Sequence, residues 1–461
     1  MKHIIVFIVA FFVCSCGSSR SVYVSSSRGL DTNDGSSPKR PFKTIKAAAK
    51  NADTLFLAAG DVFYEYVVLR GKYMTRYGKG RNPEINGLRT ITGRPWQKVK
   101  DNIWVADLTS LPSTGYIING TSELNNVGCL YETDKDLLHG FKHHKYEELS
   151  KDWDFFQTDM PTYHKNGNKQ FDKIYLYYTG NPNDLSLALS VGSHYGLKLY
   201  NSTVERVNVI GFGTGGINLF GSSNVRNCRV DLIGGSMQLH WEVTTCLGNG
   251  IDFWVNEDAY DCVIEDNYIS RCYDCGGSIQ AIGCDKATPR NIVYRNNLIS
   301  HCCQGWEDFL TKEPHVKFEN CRFENNYVVY AGDTGFGYPA IRRKYCNVLG
   351  NNMDGDKGMI IRNNVFVGGN YYCSGAFQEK YCSNVWSGNV HYVERGAYIL
   401  SNYFGTKDVL RIPETGDAQS VIGQYRNLTS DNSTKFIISS KQKIDSLSKK
   451  TIRKYLKKHK Y

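Results

Sequence analysis

Proline is scarce here, with 11 in 461 residues, while glycine (44) and tyrosine (31) are abundant. Turns must therefore be made mainly by glycine and by the asparagines crowded between residues 201 and 390, as in a chain of many short strands. Hairpin turn pairs such as Asn-Gly are few, which argues against a propeller or sandwich built from hairpin-linked strands. Long apolar runs are also lacking. The run Ile4 to Val13 is too short to span a bilayer and follows the polar start Lys2-His3, the pattern of an export signal. A one-signed charge excess is missing from the body as well. The formal charge is +10, but Lys441 to Tyr461 holds nine Lys or Arg and one Asp, a local +8. The rest is nearly neutral, which gives no support for a nucleic-acid-binding body.

What is present suggests an exported solenoid. Val13-Cys14-Ser15-Cys16 resembles a bacterial lipobox, with Cys16 as the lipidated residue. Residues 1–15 are then the signal peptide and 16–21 the tether, placing the protein in the periplasm or at the outer membrane. Residues 22–415 read as one right-handed parallel β-helix, with an inserted loop or subdomain at about 125–170. A helix after Pro41 is expected to cap the first coil. Residues 416–461 read as a basic, helical tail, a cap or an arm. From residue 204 the strands repeat: Cys262 to Ile269, Asn291 to Ile299, Val316 to Phe323 and Met359 to Phe366 each carry Asn or Cys at matching points. Aligning Asn267, Asn297 and Cys321 gives periods of 30 and 24 residues, within the range of a three-strand coil. Such coils bury their inner faces only by stacking, and repeated Asn side chains can bond up and down the stack. Cys228, Cys262 and Cys321 suit a small apolar interior position. Cys272, Cys275, Cys302 and Cys303 fall at equivalent turns, where thiols, a disulfide or a zinc site are the alternatives.

A second short strand precedes each Asn-rich one. Period-two alternation sends Ile217, Ile251, Phe253 and Ile279 inward and Asn218, Asp252, Gln280 and Glu307 outward to solvent. Asp252 and Glu307 would sit two coils apart, with backbones ~9–10 Å apart. Asp274 lies in the turn before the next strand, with Gln304 as its counterpart one coil on. Asp308 should point inward. Trp254, on the outward face, offers a platform for a sugar ring. His240 lies on a candidate wall, and Arg342 is placed to meet an acidic sugar.

These motifs resemble those of bacterial right-handed β-helix proteins of the pectate-lyase-like superfamily, in particular exported β-helix glycoside hydrolases. The resemblance rests on Tyr23-Val24-Ser25 through Ile45, Gly80 to Gly87, Asn249-Gly250-Ile251-Asp252-Phe253-Trp254, Tyr273-Asp274-Cys275-Gly276 and Trp306-Glu307-Asp308-Phe309. It implies a parallel β-helix and a carbohydrate substrate. In the relatives the Asp252 position commonly carries Glu, and Ala stands at Cys275. The functional expectation is glycoside hydrolysis by Asp252, Glu307 and Asp274 as acid and base, with Trp254, His240, Gln280, Asn218, Gln304 and Arg342 binding substrate. The chain would act as a monomer, without cofactor and without nucleic acid, held to the membrane by its N-terminal lipid. The alternatives are a polysaccharide lyase, using calcium held by the three carboxylates, and a non-catalytic glycan-binding lipoprotein. The absence of a basic residue from the polar column favours the hydrolase over the lyase.

Overall fold

The computed structural model describes residues 20–91, 96–109, 125–158, 171–192, 194–240, 243–254, 258–281, 288–310, 317–332, 347–351, 358–369, 373–375, 384–402 and 410–461. Three ten-stranded sheets dominate them. Apart from the insertions, the chain visits the three in rotation from Thr54–Ala58 to Tyr398–Asn402. Ile251–Trp254 lies in one, termed the site sheet, Tyr260–Glu265 in the second and Tyr268–Cys272 in the third; Cys275–Ala281 then returns to the site sheet. Successive visits pair in parallel, as Val263 with Val293 and Ile269 with Ile299. This is the expected right-handed parallel β-helix.

Alternation sends Ile217, Ile251, Phe253, Ile279 and Trp306 into a continuous core with Val225, Ile264 and Phe323. Each is fully or nearly fully hidden from solvent. The coil turns are held by an asparagine ladder. The amide oxygens of Asn297, Asn326, Asn364 and Asn389 each accept from the backbone N–H of the ladder asparagine one coil earlier, at 2.9–3.0 Å. Their Nδ2 groups donate to backbone carbonyls such as Ile264 and Tyr294. The residue before each of the first four rungs, Asp266, Asn296, Asn325 or Asn363, is left-handed, with φ of 55–56°, and Gly388 before Asn389 is at 63°. Asn and Asp tolerate that turn best among residues with a Cβ. The ladder corrects the alignment made from the sequence: Asn326, not Cys321, is the counterpart of Asn297, 29 residues on. Cys321 belongs to the preceding corner, where its thiol faces the Pro289 carbonyl. Cys228, Cys262, Cys272, Cys275, Cys302 and Cys321 are buried free thiols, and Cys303 is buried beside them.

Helix α1 (Ile45–Ala49), with the Thr44 side chain accepting from the Ala47 N–H at its start, lays Ile45 and Ala48 over the first coil. Helix α2 (Gln419–Thr429) buries Ile422 and Tyr425 against the far end of the core. The strand Lys435–Ile438 then adds to the third sheet beside Val390–Val393. Helix α3 (Lys441–His459) packs Ile444 and Tyr455 on Leu298, Val329 and Val367 of that sheet. The basic tail is thus helical and docked.

Between Leu88 and Val191 the chain forms two small, largely antiparallel sheets around Leu130, Phe155, Ile174 and Leu189. Asn126 ties this unit to the hairpin Met237–His240/Val243–Cys246: its Oδ1 accepts from Met237 N at 3.0 Å and its Nδ2 donates to the Met237 carbonyl at 2.6 Å. Lys142, fully buried, donates to the same Oδ1 at 3.0 Å. Arg271 bridges Asp136 of the insertion, at 2.8 Å, and the buried Asp231 of the third sheet.

Candidate functional site

The site sheet sets the geometry through its corners. Gly216, Gly250, Gly276 and Gly305 open its successive strands. A Cβ on any of them would come within 2.3–2.5 Å of the third sheet's Val230, Ile269, Ile299 or Val328 side chains. Only glycine lets the chain turn so close to the neighbouring sheet. Two residues after three of these glycines stand Asn218, Asp252 and Ser278, directly paired in register, and Glu307 follows next to Ser278. Asp252 and Glu307 are therefore two strands apart, with ~9–10 Å between backbones.

The same register corrects the expected column. Ser278, not Gln280, is level with Asp252 and Glu307, while Gln280 is level with Trp254 and Phe309. A shift of two residues keeps a side chain on the same face, so alternation alone does not distinguish the two alignments. Gln280 still reaches the site, its Nε2 donating to Glu307 Oε2 at 2.7 Å. Gln304 pairs with Cys275 rather than with Asp274. Gln304 is buried, and its Oε1 has no hydrogen-bond partner among the described residues.

The outward side is also more enclosed than a bare strand face. Asp252 is 0% exposed and Glu307 7%. Tyr195 Oη donates to Asp252 Oδ2 at 3.0 Å, Asn218 Nδ2 to Oδ1 at 3.1 Å and Asn249 Nδ2 to Oδ2 at 3.3 Å. These donors favour the ionised form, but burial outweighs them and pushes Asp252 up to about 6. Asp274, half-buried at the turn, is pushed up to about 7 by burial and by the nearby Asp252 charge. Glu307 is raised well above the usual carboxylate range by burial first and by Asp274 next. Three carboxylates thus share one poorly solvated space, and like charges there cannot all ionise together. Tyr273, packed with Cys129, Met237 and Cys246 of the insertion and hairpin, anchors the turn that presents Asp274.

Asp308 points inward as expected, fully buried, accepting from Trp306 Nε1 at 2.9 Å and Asn384 Nδ2 at 2.8 Å. Trp254 is in place on its strand and His240 on the hairpin, but their side chains lie outside the described residues. So do Arg342 and Cys16 entirely. The sequence reading missed Tyr195, Asn249, Ser278 and Lys198. Lys198 pairs with Asn218 and so stands in the polar column, where its charge acts on Asp252. The statement that the column lacks a basic residue is therefore overturned. The signal was the alternating stretch Tyr195–Tyr200, which pairs with Gly215–Phe220 but carries no Asn-rich motif.

Along the same face Tyr200 and Phe220 stack at 4.3 Å, with Arg70 over the Tyr200 ring at 3.7 Å. The ring faces are spent on each other, so this pair stabilises the sheet rather than offering a sugar platform.

No protein-family model matches the chain, and no curated protein does. Among solved structures, it is similar to XylC in complex with xylose, at 13% identity over 91% of this chain and 83% of that one, with a TM-score of 0.44. It is also similar to the GH136 lacto-N-biosidase from Eubacterium ramulus, at 11% identity, 91% and 67% coverage and a TM-score of 0.40. A third, a glycoside hydrolase, gives 10%, 93%, 98% and 0.41. These likenesses concern the fold alone, and the parallel stacking of coils rests on the strand pairings themselves.

Proposed function

We propose that this protein is a carbohydrate-active enzyme, a glycoside hydrolase acting on a complex glycan or polysaccharide from the site sheet. One observation supports it most: Asp252, Asp274 and Glu307 gather on one face, each with a proton affinity raised by burial, with Asp274 and Glu307 raised further by neighbouring carboxylate charge and Asp252 held lower by its donors. A glycosidase needs one carboxyl protonated at working pH and another ionised. Glu307, raised furthest above its usual range, is the general acid that protonates the leaving oxygen. Asp274, the most accessible of the three and poised at about 7, takes the proton of the attacking water. Asp252, held by three donors, keeps the charge that lifts Asp274. Gln280 orients Glu307. The uncommitted acceptor of Gln304 faces a desolvation cost unless a ligand donates to it, which suits a sugar hydroxyl.

Lys198 keeps the lyase reading alive, because a lyase needs a base or cation near an acidic sugar. Calcium fits less well. Asp252 Oδ2 already accepts from Tyr195 and Asn249 and Oδ1 from Asn218, which leaves Asp252 little acceptor capacity for a cation. Among the described residues no three His, Cys, Asp or Glu side chains are grouped to hold an ion.

The test is a panel of neutral and uronic-acid glycans with wild type, Asp252→Asn, Asp274→Asn and Glu307→Gln. Loss of ~10²–10⁴-fold in turnover with retained folding supports the site. Full activity in all three variants rejects it, and an unsaturated uronic-acid product transfers the assignment to a lyase. Export and lipidation at Cys16 belong to the same proposal. Palmitate labelling that persists in Cys16→Ser would refute the lipid assignment.

A further inference from the structure

Helix α3 carries two opposed faces, of which only one is used inside the protein. Ile444, Ser448 and Tyr455 are buried on the third sheet. The Tyr455 hydroxyl donates to the carbonyls of Asn267 at 3.0 Å and Asn296 at 2.7 Å, and Tyr461 to that of Asp266. The helix is therefore pinned along several coils of a rigid sheet. On the other side Ser446, Lys449, Lys450, Arg453, Lys454 and Lys457 form one exposed face. Their spacing of three and one residues puts them on one stripe. All five cations are exposed. Among the described residues Lys441 pairs with Asp445, and His459 lies 3.9 Å from Asp266 with burial favouring its neutral form; neither is on this stripe. Lys441 to Tyr461 contributes +8 of the total +10, leaving +2 for the preceding 440 residues. Nearly all the net charge is thus concentrated on one docked helix.

From this we infer that the exposed face of α3 is a docking surface for an anionic lipid bilayer. A helix docked along its buried side presents these cations on one outward stripe, spanning ~12 Å from Lys449 to Lys457 at 1.5 Å per residue. A planar layer of phosphate headgroups meets all five at once. A polymer chain would need walls or ring faces to grip, and the stripe has neither. The apolar side of α3 is already occupied, so the contact is electrostatic, without insertion, and reversible by salt. The third sheet is not the site sheet, so docking through α3 leaves the three carboxylates unblocked. The inference is independent of which reaction they perform.

The test uses the full chain with Cys16→Ser, so that no acyl chain contributes. Sedimentation is measured with phosphatidylcholine vesicles and with vesicles of roughly one third phosphatidylglycerol. Binding only to the anionic vesicles at ~0.05 M salt, lost at ~0.5 M, is expected. Each Lys or Arg near such a surface contributes ~1 kcal/mol. The variant K450Q, R453Q, K454Q should therefore bind about a hundredfold more weakly, with an unchanged circular dichroism melt. Undiminished vesicle binding by that variant overturns the inference. So does equal binding to phosphatidylcholine alone, and so does capture by dextran sulfate with no vesicle binding, which would make the face a polyanion site.

Discussion

If the three carboxylates are held against their solvation, removing one charge should make the protein sturdier while it loses activity. Asp274→Asn is the cleanest case, because among the described residues its carboxylate makes no side-chain hydrogen bond, and burial and the Asp252 charge alone lift it. In the unfolded chain Asp274 titrates at its ordinary 3.8, and in the folded protein at about 7. Between those values the folded protein binds a proton that the unfolded chain does not, so stability falls as pH rises through that window. A shift of about three units corresponds to ~4 kcal/mol. Asp274 is half-buried and screened by solvent, so ~1–2 kcal/mol is the sounder figure. Urea unfolding at about pH 4 should give nearly equal stabilities for wild type and variant. At about pH 8 the variant should be ahead by that ~1–2 kcal/mol, since the wild type alone has lost the bound proton. A variant that is less stable at pH 8, or a difference independent of pH, would refute the account of a strained carboxylate cluster.

Three other perturbations probe separate parts of the argument. Tyr195→Phe removes a donor from Asp252 and raises its pKa, leaving less charge near neutrality to repel Asp274. The acidic limb of kcat/KM should then move to lower pH by roughly half a unit, and a limb that moves up or stays fixed contradicts the coupling. Asn297→Ala leaves the Asn267 backbone N–H and the Ile264 carbonyl without their ladder partner. At ~1–3 kcal/mol for each stranded buried group, the urea midpoint should drop sharply, and an unchanged midpoint would show the ladder to be dispensable. Asp231→Ala strands Arg229 and Arg271. Breaking a buried ion pair in this way costs ~3–5 kcal/mol, and because Arg271 also holds Asp136, limited proteolysis should reach the insertion first.

How much of this was legible in the sequence follows from what each signal encodes. The coil repeat was readable because a left-handed turn followed by an inward amide demands Asn or Asp next to Asn, as at Asp266-Asn267 and Asn363-Asn364. The carboxylates were readable because alternation decides the face and Gly250 and Gly305 each open a strand two residues before an acid. Alternation does not decide the level. At Cys275-Gly276-Gly277-Ser278 two glycines compete for the corner, and the apolar-polar pair Ile279-Gln280 imitates Ile251-Asp252. The choice falls to Gly276, because its missing Cβ is what the Ile299 side chain approaches within 2.3 Å. That contact comes from another sheet, and no local pattern records it. Lys198 and Tyr195 were hidden for the same reason. Their strand precedes the Asn-rich repeats, and it enters the polar column only through its pairing with residues Gly215–Phe220. The electrostatics depend partly on such neighbours: the acids are named by the repeat, whereas Asp252 is kept lowest by Asn218, Asn249, Tyr195 and Lys198, of which Tyr195 and Lys198 carry no mark of the repeat. Substitutions of Tyr195, Asn249 and Lys198 should therefore shift pH profiles while leaving the fold intact, whereas Asn297→Ala should weaken the fold and leave the profile of the surviving enzyme unmoved.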